Sequence, residues 1–234
     1  GRLVLSLSND GFIGATSSYP SYYPDYVTGD LILNGSEFPK GSGRRFLLQG
    51  SGSSLWIGGI LDDDTLVSAA VDLDRSHEMH PDWINGKPID ARSSLDSIDL
   101  KYRGAVSEQD RIVAYTDTTV DPRFYDYVDH HLHQPLGLKL TQESYAWSYS
   151  YAADIVFFNV TLRNIGKQTI REAYIGWMVR PRVTYAPSVG YQTTDTDDDV
   201  CGYIEVFTHP DHCGWPDTLQ LAWSTDNDGN PFDD

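Results

Sequence analysis

The chain has 234 residues, 12% of them aromatic and 22% charged, with 20 Gly, 12 Pro and a formal net charge of −17. Such a charge repels nucleic acid and anionic membranes, which leaves cations and neutral polymers as partners. No apolar run is long enough to span a bilayer, and no apolar period of 3.6 is sustained, so the composition predicts strands joined by many turns.

Leu3, Leu5 and Leu7 alternate and then meet Asn9-Asp10-Gly11, which predicts a first strand and its turn. An exported chain whose leader has been removed would begin this way. Tyr19, Tyr22, Tyr23 and Tyr26 follow, interleaved with Pro20 and Pro24. Proline removes backbone donors, so this reads as a loop or extended segment. On such a segment Tyr22, Tyr23 and Tyr26 are candidates for stacking on sugar rings; the ordinary alternative is that they fold back over the core.

Leu55 to Leu61 and Thr65 to Leu73 read as a hairpin across Asp62-Asp63-Asp64. Three adjacent carboxylates suit a cation, although a solvated tip explains them as well. His77 and His80 lack the HExxH form that positions a zinc and a base. Asn85-Gly86 has turn chemistry, and Arg111 to Tyr115 reads as a short strand. The polar FYDYVDHHLHQPLG marks a seam. It divides a β-rich region, 1–130, from a second region, 131–234, unless the two continue as one unit. His131 and His133 share a face if extended, a candidate pair for a transition metal.

Leu136, Leu138 and Leu140 stand on even positions, whereas Tyr145, Trp147 and Tyr149 stand on odd ones. That change of phase predicts a bulge or a change of sheet at Gln142 to Ser144. Val156, Phe158, Val160 and Leu162 then alternate, Asn164-Ile165-Gly166-Lys167 supplies a turn, and Ala173, Ile175, Trp177 and Val179 alternate again. The expectation is a long antiparallel hairpin with a wide apolar face that something must cover.

Asp outnumbers Glu by 28 to 6. Asp suits turns, and it also suits Ca²⁺ loops, where several oxygens converge within few residues. Two clusters have that form: Asp195, Asp197 and Asp199 in TTDTDDDVCGY, and Asp226, Asp228 and Asn230 in STDNDGNPFDD. Ca²⁺ is therefore the expected cofactor, set against plain solvated loops. Cys201 and Cys213 predict one disulfide in an oxidising compartment, worth about 3 kcal/mol in the chain-entropy model. His209 and His212 between them offer a metal site as the alternative. The acidic end reads as a loop in mid-course, so the expectation is either a longer chain or a neighbouring molecule that completes the sheet.

SLWIGGI (54–60), HQPLGLKLTQESYAWSYSYAADIVFFNVTLRNIG (133–166) and LAWSTDNDGNP (221–231) carry a resemblance. The chain resembles a group of large secreted or cell-surface β-rich proteins of environmental Gram-negative bacteria, some with a C-terminal sorting domain. Its strand pair with the Asn-x-Gly turn is also similar to the hairpin of Ig-like adhesion modules. The resemblance implies export, an extracellular or surface place and a longer precursor; it carries no catalytic residues with it.

Together these readings predict an all-β protein built as antiparallel β-sandwich units, with an Ig-like second half and long Asp/Gly/Pro-rich loops. The expected function is a non-catalytic extracellular structural or adhesive module. It would assemble with copies of itself or other surface components and be stiffened by Ca²⁺ and the disulfide. A carbohydrate-binding module, using Tyr22, Tyr23, Tyr26 or the Tyr145–Tyr151 segment, is the alternative. A glycoside hydrolase fragment is the third reading. That chemistry needs two carboxylates set across a cleft, and so many Asp residues single out no pair. GxSxG, P-loop, GxGxxG and HExxH patterns do not occur.

Overall fold

The computed structural model describes residues 2–14, 22–24, 31–33, 35–42, 44–46, 52–70, 78–95, 104–122, 125–126, 131–181, 183–185, 200–207 and 219–225. Among these residues there is no helix, and the strands pair antiparallel throughout. The first third holds β1 (Val4–Leu5), β2 (Ile13–Gly14), β3 (Tyr22–Pro24), β4 (Leu31–Leu33), β5 (Ser36–Glu37), β6 (Arg44–Arg45), β7 (Gly52–Leu61) and β8 (Asp64–Ala69). The middle holds β9 (His80–Asp82), β10 (Asp90–Arg92), β11 (Gln109–Thr116), β12 (Tyr125–Asp126), β13 (His131–Leu132) and β14 (Leu138–Ala146). The remainder is β15 (Phe157–Asn164), β16 (Arg171–Val179), β17 (Thr184–Tyr185), β18 (Val200–Phe207) and β19 (Leu219–Thr225).

Two sheets organise the molecule. One runs β10-β11-β14-β15, with β9 also on β11; the other runs β16-β7-β2, with β8 also on β7. Among the described residues five further strand pairs stand apart as two-stranded ribbons. The hairpin across Asp62 and Asp63 forms as expected, with Leu61 opposite Asp64 and Ile57 opposite Ser68. Asp62 takes a φ of 56°, a left-handed conformation that a short Asp tolerates better than most residues. The Asn85-Gly86 turn also forms, closed by reciprocal backbone bonds between Ile84 and Lys87 at 2.9 Å.

One apolar cluster draws on both sheets. Leu55 and Ile57 of β7 meet Val113 and Tyr115 of β11 and Leu138 and Leu140 of β14, with Val160 and Leu162 of β15 against the same group. Leu140 is wholly buried, and burial of a side chain of this size contributes about 1.5–3 kcal/mol. Gly11 is required where the first turn meets this core. Its φ is +92°, and a Cβ there would lie 2.6 Å from the Tyr115 ring.

Two expectations fail here, each for a physical reason. Leu140 faces Leu162, and Gln142 faces Val160, in a β14–β15 ladder that continues to Tyr145 and Phe157 without a register shift. There is accordingly no bulge at Gln142 to Ser144. Gln142 and Ser144 continue the buried face of Leu138 and Leu140 despite being polar: the Tyr115 hydroxyl donates to Gln142 Oε1 at 3.0 Å and Ser144 Oγ donates to the Arg111 carbonyl at 3.3 Å, while Gln142 Nε2 is buried without a hydrogen-bond partner among the described residues.

The second failure concerns β15 and β16, which do not pair with each other. The turn after β15 exists, with Ile165 and Gly166 donating their N–H groups to the Gly137 carbonyl at 2.8 and 3.0 Å. It hands the chain to the other sheet, where Trp177 faces Leu55 and Ile175 faces Ile57. A short turn between two alternating segments therefore joins two sheets instead of closing one hairpin. Pairing also runs across residue 130 in both sheets, since β11 binds β14 and β7 binds β16.

Candidate functional site

The predicted metal positions Asp195, Asp197, Asp199, Asp226, Asp228 and Asn230 lie outside the described residues. So do Cys213, Tyr26, His77, His209 and His212. Cys201 is exposed on β18, opposite Ser224 of β19. The backbones of Tyr22 and Tyr23 belong to β3, opposite Leu33 and Ile32. Among the described residues no group of three or more His, Cys, Asp or Glu is placed to hold a metal ion.

His131 and His133 do not form the candidate metal pair. His131 is exposed, with its Nδ1 at 2.8 Å from the Leu132 carbonyl, whereas His133 is buried. His133 Nδ1 lies 3.2 Å from Glu78 Oε1, and its Nε2 lies 2.8 Å from the Asp117 carbonyl. Both ring nitrogens thus face acceptors, the arrangement that suits the doubly protonated imidazolium. Burial pushes the His133 pKa down, but the Glu78 hydrogen bond and charge, with Asp117 behind them, outweigh it and hold the pKa above its ordinary value.

The Asp117 carboxylate accepts from Ser68 Oγ at 2.8 Å, from the Leu136 N–H at 2.8 Å and from the Leu138 N–H at 2.6 Å. Glu78 Oε2 accepts from the Ala69 N–H at 2.8 Å. The cluster therefore ties the end of β8, the end of β11 and the approach to β14 together. Spacing gave no hint of it, because Glu78, Asp117 and His133 are distant in the chain and share no motif.

The molecule is more unusual at its margin. Among the described residues β15 and β16 are the outermost strands of their sheets, and the Phe158 and Trp177 rings meet between them with centroids 5.8 Å apart. Register places Ile175 and Trp177 on the same face of their sheet as Ile57 and Leu55. Ile57 is 1% exposed, yet Ile175 is 62% exposed and Trp177 is 40% exposed. The core-facing surface of this sheet thus continues past its cover onto an open apolar shelf. Monomeric proteins rarely leave such a face bare. β16 also begins irregularly, with a register shift between Arg171 and Tyr174 and a positive φ at Glu172.

An aromatic group lies at the end of β14. Trp147 contacts Tyr145 and meets Phe157 edge-on, and the exposed Tyr149 and Tyr151 rings stack 5.5 Å apart, 14° from parallel. Comparison with family models, with curated proteins and with solved structures finds no match for this chain.

Proposed function

We propose that this protein is a non-catalytic structural or adhesive β module that assembles with copies of itself outside the cell. The observation that carries this reading is the open apolar shelf of Ile175, Trp177 and Val179, which extends a core-facing sheet surface into solvent. The shared apolar cluster supports a β-sandwich of the two main sheets; an Ig-like second half rests on the resemblance alone. The resemblance to secreted bacterial surface proteins points to the extracellular place. Ca²⁺ at Asp195, Asp197, Asp199, Asp226, Asp228 and Asn230, and a Cys201–Cys213 disulfide, would stiffen such a module. The buried carboxylates Asp110 and Asp117 each accept donors from their own surroundings, which favours a scaffold over a hydrolytic pair.

Sedimentation and electron microscopy of the purified chain over a range of concentrations, with Ca²⁺ and with a chelator, test this reading. Concentration-dependent assembly is the expected result. Dispersed monomers under every condition would overturn it.

A second reading rests on the stacked and exposed Tyr149–Tyr151 pair, whose outer ring faces suit the flat apolar face of a neutral sugar. Binding to neutral polysaccharide that is lost in Tyr151→Ala would support it, and a blank across neutral and acidic glycans would remove it.

A further inference from the structure

We propose that the β18–β19 hairpin of one copy adds to the exposed edge of β15 in a second copy and lays its apolar face over the β16 shelf. The proposal rests on the assembly reading and names the two surfaces that carry it.

The hairpin has a face to bury. Val200 lies opposite Thr225, Gly202 opposite Trp223 and Ile204 opposite Leu221, so alternation gathers Val200, Ile204, Leu219, Leu221 and Trp223 on one side, before a register shift between Ile204 and Phe207 interrupts it on β18. All five are exposed. The Trp223 ring covers Gly202, where a Cβ would meet it at 2.5 Å, so the two strands are matched to each other on this face. A two-stranded hairpin in water is marginal at best and needs a third strand or a covering layer.

The receiving edge has the complementary form. Among the described residues β15 pairs only with β14, and its eight residues match the eight of β18 and the seven of β19. A strand added beyond β15 extends its sheet over Ile175, Trp177 and Val179, the residues which that sheet leaves uncovered.

Charge selects the partner. Residues 155–182 carry Arg163, Lys167, Arg171, Arg180 and Arg182 against Glu172 alone. Residues 183–234 carry eleven Asp and Glu and no Lys or Arg. Arg171 is partly engaged, donating to the Asp62 carbonyl beside Asp63, whereas Arg163 near the end of β15 and Lys167 in the turn after it stand exposed. A chain of net charge −17 repels its own copies in general, so the acidic sequence around β18 and β19, with Glu205 on β18 itself, favours approach to the basic Arg163–Arg171 stretch of a second copy. The occupant is a second copy, because the hairpin's apolar face and the shelf are both open within one chain. The contact is heterologous, and contacts of this kind propagate into rings or filaments.

The experiment uses the full chain and two variants, Trp177→Glu with Ile175→Glu on the shelf and Trp223→Glu with Leu221→Glu on the hairpin. Wild type is expected to sediment as growing oligomers, and each variant alone as a monomer with the wild-type circular dichroism spectrum. A mixture is expected to form pairs that grow no further, since one copy keeps an intact hairpin and the other an intact edge. Should either variant misfold, Arg163→Glu with Lys167→Glu, at exposed positions, is the second probe, expected to weaken association about tenfold at low salt and less at high salt. Wild-type assembly that both variants retain overturns the docking and leaves the assembly reading standing. Failure of wild type to assemble overturns both. A mixture that stays monomeric, or a hairpin held on its own chain at every concentration, overturns the second copy as occupant.

Discussion

His133 Nδ1 faces Glu78 Oε1 at 3.2 Å inside the protein, while the opposite ring nitrogen faces the Asp117 carbonyl. A histidine with its pKa raised above the unfolded value of 6.5 binds its proton more tightly when folded. Its contribution is then complete below pH 6.5 and is lost as pH rises through the folded pKa. Thermal unfolding followed from about pH 5 to about pH 9 should show the melting temperature falling on the alkaline side. Glu78→Gln should flatten that fall. An unchanged profile in Glu78→Gln would show that the pair is not its source.

Asp117 serves three donors at once, two of them backbone N–H groups. Asp117→Ala strands all three in a buried site, and each stranded group costs about 1–3 kcal/mol. The variant should lose about 3–5 kcal/mol of stability, and Asp117→Asn less, because its amide keeps one acceptor oxygen. Chemical denaturation of both variants measures the difference.

Tyr115→Phe should destabilise by about 1–3 kcal/mol, because it removes the donor to Gln142 Oε1 and leaves that oxygen buried. The urea midpoint should fall with the slope unchanged, since the same surface is exposed on unfolding. Tyr115→Phe combined with Gln142→Leu should recover part of the loss.

Leu140→Ala empties a wholly buried site and should cost about 2–5 kcal/mol. Val67→Ala, on the exposed side of β8, should change stability by no more than about 0.5 kcal/mol. Similar losses from both variants would contradict the placement of the core.

What could be read from the sequence was local. The β7–β8 hairpin and the Asn85-Gly86 turn depend on residues a few positions apart, and both were legible. The partner of β16 was not, since Trp177 finds Leu55 across more than a hundred residues and no local signal encodes that choice. Polarity misled at Gln142, which is buried with a tyrosine from the adjacent strand donating to its Oε1. The same limit applied to His133. Its exposed neighbour His131 suggested a metal pair, whereas its true partner, Glu78, lies far back in the chain.

The pairing of β7 with β16 has a consequence for how the molecule is made. During synthesis β7 and β8 emerge early, but the other flank of β7 stays bare until residue 179 has appeared. Contacts so distant in sequence close slowly, and a half-built sheet is vulnerable to capture by another nascent chain. Holding the chain extended until β16 is available, as passage through a secretion channel would do, removes that hazard. The order in which the strands become available then bears on yield as much as the final contacts do.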